Sequence, residues 1–239
     1  MKCHVFVDFD GTIVPQDATD TLLERFAEPS WLEVEADWKA GRIGSRECLS
    51  RQAALIRATP EALDEVIAGI SVDPGFAGFV KLCRDEGIGI SVLSDGFDRA
   101  VGGVLSRAGI DMPFAANHLA HRGGDRWELE FPYSKKACTS GSGNCKCATA
   151  MGVGAPATVM VGDGRSDFCV SARTTYVLAK GALARHCTEQ AIPHSQFETF
   201  DQATPLLMAW LEAQGLAGVP KVAEEATGRF RRRGLTGGA

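Results

Sequence analysis

The sequence predicts an α/β protein: a Rossmann-like parallel sheet flanked by helices, with an all-helical segment inserted after the first strand. Three observations carry that reading. Short, continuous apolar runs recur along the chain, and each stops at acids, hydroxyls or glycines, as strands buried on both faces of a sheet do. Helical patterns separate these runs, and strands alternating with helices build parallel βαβ units. One interval, residues 17–70, carries helical patterns only.

Taken in order, residues 3–8 form a β-branched and aromatic run that stops at Asp10-Gly11 and reads as a strand leading into a loop. Helices are then expected over 18–26, 31–39, 45–57 and 60–68. Thr59-Pro60-Glu61 is a good helix start, with a cap residue and proline at the first position; Ser45 with Cys48 is a poor capping box. A helix over 76–86 leads to a strand over 89–93, which ends at Ser94-Asp95-Gly96. A helix over 99–108 follows. Residues 117–144 read as a hairpin excursion, turning at Arg122-Gly123-Gly124-Asp125 before Trp127-Glu128-Leu129-Glu130-Phe131. A short helix over 147–151 precedes a strand over 157–161 that ends at Gly162-Asp163-Gly164, a helix over 167–173, and a strand over 175–179 that ends at Lys180-Gly181. The expected organisation is a core of residues 1–16 and 71–217, a helical insert over 17–70, and a flexible tail over 218–239 bearing Arg229 and Arg231-Arg232-Arg233.

Composition limits what such a chain can do. Its 239 residues are 45% hydrophobic and 23% charged, which excludes a disordered or fibrous protein. Lysine and arginine number 25 against 30 acids, a net charge of −5, where a nucleic-acid binder needs a basic face. No apolar stretch reaches the ~20 residues of a membrane helix, and the N-terminal run is too short for a signal-peptide core and is interrupted by Asp8. The expectation is a cytoplasmic monomer or homodimer whose partner is a small molecule, with no nucleic acid and no membrane. The eight cysteines are thinly spread, unlike those of a disulfide scaffold. Cys3, Cys48, Cys83, Cys169 and Cys187 read as small buried apolar residues. Cys138, Cys145 and Cys147, with His118 and His121 upstream, allow a zinc site, a reduced thiol cluster or an adventitious disulfide; their spacing fits no zinc ribbon or finger.

Ligands bind parallel α/β sheets outside the carboxyl ends of the strands. Asp8 and Asp10, two apart on an extended segment, face one site. Ser94 and Asp95 follow the next strand, and Asp163, with Asp167 one turn on, follows a later one. A surface Asp-Gly turn would explain Asp10-Gly11, but not why Ser94 and Asp163 share the same setting. Like charges gathered at strand ends are costly unless a cation neutralises them, and an all-oxygen donor set suits Mg²⁺.

With Asp8-Phe9-Asp10-Gly11-Thr12, Ser94 at a strand end and Gly162-Asp163-Gly164-Arg165-Ser166-Asp167 in place, the chain resembles the haloacid dehalogenase-like phosphohydrolases over essentially its whole length. These stretches match that family's first, second and fourth motifs. Its third is a lysine upstream of the fourth; Lys146 is preferred to Lys135, Lys136 and Lys180 because it precedes a short helix and the strand ending in Asp163. The insert looks like the C1 cap of the phosphoserine-phosphatase-like branch. Cys145-Lys146-Cys147 and Gly164-Arg165-Ser166-Asp167-Phe168-Cys169 look most like the methionine-salvage phosphatases, which act on 2-hydroxy-3-keto-5-methylthiopentenyl-1-phosphate; the second segment is also similar to the phosphocholine/phosphoethanolamine phosphatases. The resemblance implies a Mg²⁺-dependent phosphatase acting on a small phosphorylated metabolite. Asp8 is the implied nucleophile that becomes an aspartyl-phosphate, and Asp10 the acid and then the base. Lys146 and backbone N–H groups near Gly11, Asp95 and Gly96 spread the phosphoryl charge, and Thr12 and Ser94 hydrogen-bond it. The ion falls to Asp8, the Asp10 carbonyl and Asp163, with Asp167 ligating or orienting. Arg165 reads as an exposed residue near the site mouth.

The cap is expected to set the substrate through Asp17, Arg51 and Gln52. Asp17 lies where phosphoserine phosphatases carry the acid that binds the substrate ammonium. Their carboxylate-binding arginine falls near Arg51 or Gln52, Gln52 being the closer match, which counts against phosphoserine. Other readings fit less well. A dehalogenase has no leaving alcohol for Asp10 to protonate, a phosphonatase needs a cap lysine where only Lys39 is present, and a non-catalytic metal-binding module would normally lose Asp8 or Asp10.

Overall fold

The first apolar run folds as β1 (Cys3–Val7), buried along its whole length. Four helices follow it directly: α1 (Ala18–Phe26), α2 (Trp31–Lys39), α3 (Ser45–Ala53) and α4 (Pro60–Ala68). Next come α5 (Phe76–Asp85), β2 (Gly89–Phe97), α6 (Asp98–Arg107), β3 (Phe114–His121) and β4 (Trp127–Glu130). The chain continues through α7 (Lys146–Met151), β5 (Ala157–Gly162), α8 (Phe168–Ser171), β6 (Tyr176–Ala179), α9 (Gly181–Glu189), β7 (His194–Gln196) and α10 (Phe200–Ala213). The computed structural model describes residues 2–218, so the expected arginine-rich tail from residue 219 onward lies outside the described residues. No helix among the described residues is long and apolar enough to cross a membrane.

The strands form one sheet in the order β4-β3-β2-β1-β5-β6-β7, parallel except for the antiparallel pair of β3 and β4. Successive side chains of a strand point to opposite faces, and the burial follows that rule. Val5, Val7, Val92, Val159 and Val161 join one apolar cluster with α5, α6 and α10. Phe6, Leu93, Met160 and Val177 join the other, under α7, α8 and α9. On the first face Phe76 and Phe79 of α5 pack on Phe200 of α10, with ring centroids 4.8 and 5.1 Å apart.

The helices α1, α2 and α4 share that first cluster through Leu22, Leu23, Trp31, Leu63 and Ile67, and the link between α3 and α4 through Ile56; burying such a side chain contributes ~1.5–3 kcal/mol. Trp127 of β4 donates its indole N–H to the Ala58 carbonyl at 2.8 Å, fastening the helical layer to the sheet edge. Thr59 caps α4 and Pro60 opens it.

Four expectations change, the first being that the strand starting at Gly89 runs on to Phe97, past residue 93, and takes in Ser94, Asp95 and Gly96. The helix starting at Ser45 stops at Ala53 and not at residue 57, because Glu28 N–H bonds to Leu55 O and Arg57 N–H to Phe26 O, taking that stretch into pairing with the end of α1. The hairpin turning at residues 122–126 forms, but its first strand is part of the main sheet. That strand begins at Phe114 and lies parallel to β2, since Phe114-Ala115-Ala116 supplies an apolar start that buries there. Finally, α9, β7 and α10 complete the stretch after residue 179, where the sequence reading placed no elements.

Candidate active site

The chain leaves β1 at the middle of the sheet, runs outward through β2 to β4, then returns to β5 on the other side of β1. Strand order reverses at β1, so the crevice for a ligand opens at its carboxyl end. Asp8 sits there. Its N–H bonds to Val161 O at 2.8 Å, and its carboxylate Oδ1 accepts from Phe9 N–H at 2.8 Å. Lys146, on the first turn of α7, lies 2.6 Å from Asp8 Oδ1 and 2.7 Å from Asp167 Oδ1, and donates to Ser166 Oγ at 2.9 Å. Asp167 Oδ2 accepts from the backbone of Asp163 and Gly164 at 3.3 and 3.4 Å. Oxygens of Asp8, Asp163 and Asp167 lie within 4.8 Å of one another.

Three carboxylates against one ammonium leave an excess of buried negative charge. Burial works against the Lys146 ammonium, but Asp167 and then Asp8 outweigh it and hold it protonated. Burial and then the Asp8 charge push Asp163 up to about 6. A divalent cation bound by hard oxygen donors relieves that strain, so the donor set fits Mg²⁺. Asp10 stands apart from the three: its Oδ1 accepts from Ala18 N–H at 2.7 Å. Burial foremost, then the charge of Asp17, hold its carboxyl well above the usual range, which suits a proton donor.

Two glycines make the packing possible. Gly11 has φ +70°, and a Cβ there would lie 2.5 Å from Asp163 Oδ2. A Cβ on Gly96 would lie 2.8 Å from Asp10 Oδ2 and 2.9 Å from Thr19 Oγ1. Ser94, fully buried, accepts from Gly96 N–H at 2.9 Å.

Other expected residues face elsewhere. Thr12 donates its hydroxyl to Asp163 Oδ1 at 3.1 Å and so steadies that carboxylate. The Asp95 carboxylate accepts from Ser45 Oγ at 2.5 Å and Asn144 N–H at 2.7 Å, and Asn117 Nδ2 donates to both its carbonyl and its Oδ1. That side chain joins β2, β3, α3 and the loop before α7, leaving only its backbone for a phosphate. Asp17 caps α1 through a bond from Asp20 N–H at 2.9 Å and is exposed. Arg51 is exposed and lies against Asp37 and Glu47 at 3.8 and 3.7 Å, so no contact brings it to the acids. Gln52 is buried and donates to Glu35 Oε2 at 3.0 Å. Burial, then Asp17 and Glu35, push Asp20 up to about 6, so this part of the helical layer is acidic. Arg165 is exposed.

The sequence reading missed Ser166, Asn117, Asn144, Ser45 and Glu35. Ser166 lies inside the quoted motif, whereas the others carry no local signal and acquire partners only through folding. The two histidines of the zinc alternative take other partners. His118 meets Asp98 and His121 meets the Gly124 carbonyl, and among the described residues the three aspartates are the group of ligand atoms close enough to hold an ion. Cys3, Cys48, Cys83 and Cys187 are buried, but Cys169 is half-buried and faces Cys147.

Residues 5–171 match the family model of the haloacid dehalogenase-like hydrolases. The chain is 30% identical over 213 residues to a 2-hydroxy-3-keto-5-methylthiopentenyl-1-phosphate phosphatase of Brevibacillus brevis, covering 86% of this chain and 95% of that one. It is 29% identical over 205 residues to the protein of the same name from an Exiguobacterium species, covering 84% and 94%. A solved structure of phosphoserine phosphatase as a phospho-aspartyl intermediate analogue matches with a TM-score of 0.65 at 22% identity, covering 87% of this chain and 98% of that one. The last likeness is one of fold.

Proposed function

The chain belongs to the haloacid dehalogenase-like hydrolases and is a phosphatase, and on that premise we propose that it hydrolyses a small-metabolite phosphate monoester through an aspartyl-phosphate at Asp8, with Mg²⁺. The substrate best supported is 2-hydroxy-3-keto-5-methylthiopentenyl-1-phosphate, after the relatives named above. The observation that carries the reading is Lys146, buried between Asp8 and Asp167 at the carboxyl end of the central strand.

In this reading Asp8 Oδ attacks phosphorus, the bond to the leaving oxygen breaks, and Asp10 gives that oxygen its proton. Asp10 then takes a proton from the water that cleaves the acyl phosphate. Lys146 holds Asp8 in place and lowers the charge repulsion an anionic ester meets on approach. Asp8, the Asp10 carbonyl and Asp163 would hold the ion, with Asp167 ligating or orienting; bound there, Mg²⁺ neutralises phosphoryl charge. Helices α1–α4 act as a cap that excludes water and contacts the leaving group.

The acidic side of that cap, Asp17, Asp20 and Glu35, favours a second reading: an ester with a cationic end, such as phosphocholine or phosphoethanolamine. A panel of these esters, phosphoserine and the methylthiopentenyl ester, assayed with Mg²⁺ and with chelator, tests both. The first reading expects the highest kcat/KM on the methylthiopentenyl ester; a preference for the amine esters supports the second. Turnover that ignores chelator overturns the metal-dependent mechanism.

A further inference from the structure

Four of the eight cysteines gather around the segment that carries Lys146. Cys138 and Cys145 are close enough to influence each other's ionisation, and Cys147 Sγ lies 2.7 Å from Cys169 Sγ. They meet in pairs: among the described residues, no three of these sulfurs are close enough together to hold an ion. Cys147 follows Lys146 on α7, and Cys169 stands on α8, two residues after Asp167. A disulfide needs its sulfurs at ~2.05 Å, so closing this pair draws the two helices together by less than about 1 Å.

We propose that Cys147 and Cys169 are an oxidation site, closing into a reversible disulfide that displaces Lys146 from Asp8 and Asp167 and lowers turnover. The oxidant is a small disulfide such as oxidised glutathione. The half-buried Cys169 thiol attacks one glutathione sulfur, forming a mixed disulfide and releasing one glutathione thiol. Buried Cys147 then attacks Cys169 Sγ and releases the second. The protein loses two electrons and two protons, and the oxidant gains both pairs as two thiols. The sensitivity comes from geometry: the 2.6 and 2.7 Å contacts of Lys146 are anchored on the segments the bond pulls, and misplacing a catalytic group by about 1 Å costs up to ~100-fold.

The test treats the full chain with oxidised glutathione, maps the alkylated peptides, and assays turnover of an aryl phosphate before and after dithiothreitol. A Cys147–Cys169 link, a loss of activity of at least tenfold and recovery with dithiothreitol are expected. Cys169→Ser should stay active in oxidant, whereas Cys138→Ser should be inactivated like the wild type. If Cys169→Ser does not fold, the wild-type peptide map and its recovery decide alone. The proposal is overturned by thiols that remain unlinked, a link confined to Cys138 and Cys145, a Cys147–Cys169 link that leaves activity intact, or zinc held by these sulfurs in the purified protein.

Discussion

Lys146 Nζ and Asp167 Oδ1 meet at 2.7 Å in a site where both side chains are almost wholly buried. One residue opens α7 and the other closes the turn before α8, so the pair ties together two segments that β5 separates. Breaking a buried pair on one side leaves an uncompensated charge, at a cost of ~3–5 kcal/mol. Lys146→Met should therefore lower the melting temperature of the metal-free protein by roughly 6–20 °C. Mg²⁺ should recover part of that loss by answering the same carboxylates. Thermal melts with chelator and with Mg²⁺ check this, and an unchanged melting temperature would remove Lys146 from the electrostatic frame.

Burial and then the charge of Asp17 favour the protonated form of Asp10, so its role should show in the leaving group. Asp10→Asn should slow hydrolysis of an alkyl phosphate by about 10²–10⁴-fold. Formation of the phospho-enzyme from an aryl phosphate, whose leaving group needs no proton, should change far less. Burst kinetics on the two esters measure the contrast. Equal losses in both bursts would argue that Asp10 does not protonate the leaving oxygen.

How far the sequence spoke for the structure differs from residue to residue. The parallel α/β sheet observed is the one read from its apolar runs, because a strand buried on both faces writes its burial into consecutive residues. The acids after β1 and β5 were legible for the same reason: a strand end locates its next residue without side-chain detail. Directions within the site were not. Thr12 turns to Asp163 because a rotamer decides it. Arg51 and Gln52 are neighbours, yet one step of a helix turns the side chain by about 100°, placing Arg51 among surface acids and Gln52 on Glu35. Counting residues cannot resolve that step. The partners of Asp95 come from β3, α3 and the loop before α7, and no local pattern links such distant residues.

The bond from Thr12 to Asp163 gives that threonine a measurable duty. Thr12→Val keeps the shape but removes the donor, so Asp163 should lose orientation while the apolar packing stays. The concentration of Mg²⁺ giving half-maximal activity should rise about 10–100-fold, the usual loss when a ligand's supporting hydrogen bond is removed, with kcat at saturating Mg²⁺ changing little. Titrating activity against Mg²⁺ decides it. A fall in kcat with no shift of the titration would place Thr12 on the phosphate after all.

The last expectation concerns acid stability and a histidine far from any role in chemistry. His4 lies inside β1, 6% exposed, with Nε2 2.8 Å from Ser91 Oγ and no hydrogen-bond partner for Nδ1. Burial lowers its pKa to about 4, against ~6.5 in the unfolded chain. Between those values the unfolded chain binds the extra proton, so acid favours unfolding. His4 should thus cost about 2 kcal/mol of stability between pH 7.5 and pH 5. Asp20 and Asp163, both pushed up to about 6, act with the opposite sign, gaining stability as pH falls through that value. They are common to wild type and variant, so a difference between the two cancels them. His4→Gln keeps a polar partner for Ser91 and cannot titrate. Urea unfolding of both proteins at pH 7.5 and pH 5 should show the variant losing about 2 kcal/mol less than the wild type over that interval. Equal losses would mean that His4 takes up its proton in the folded state, and with it that β1 opens enough near pH 5 to admit a charge.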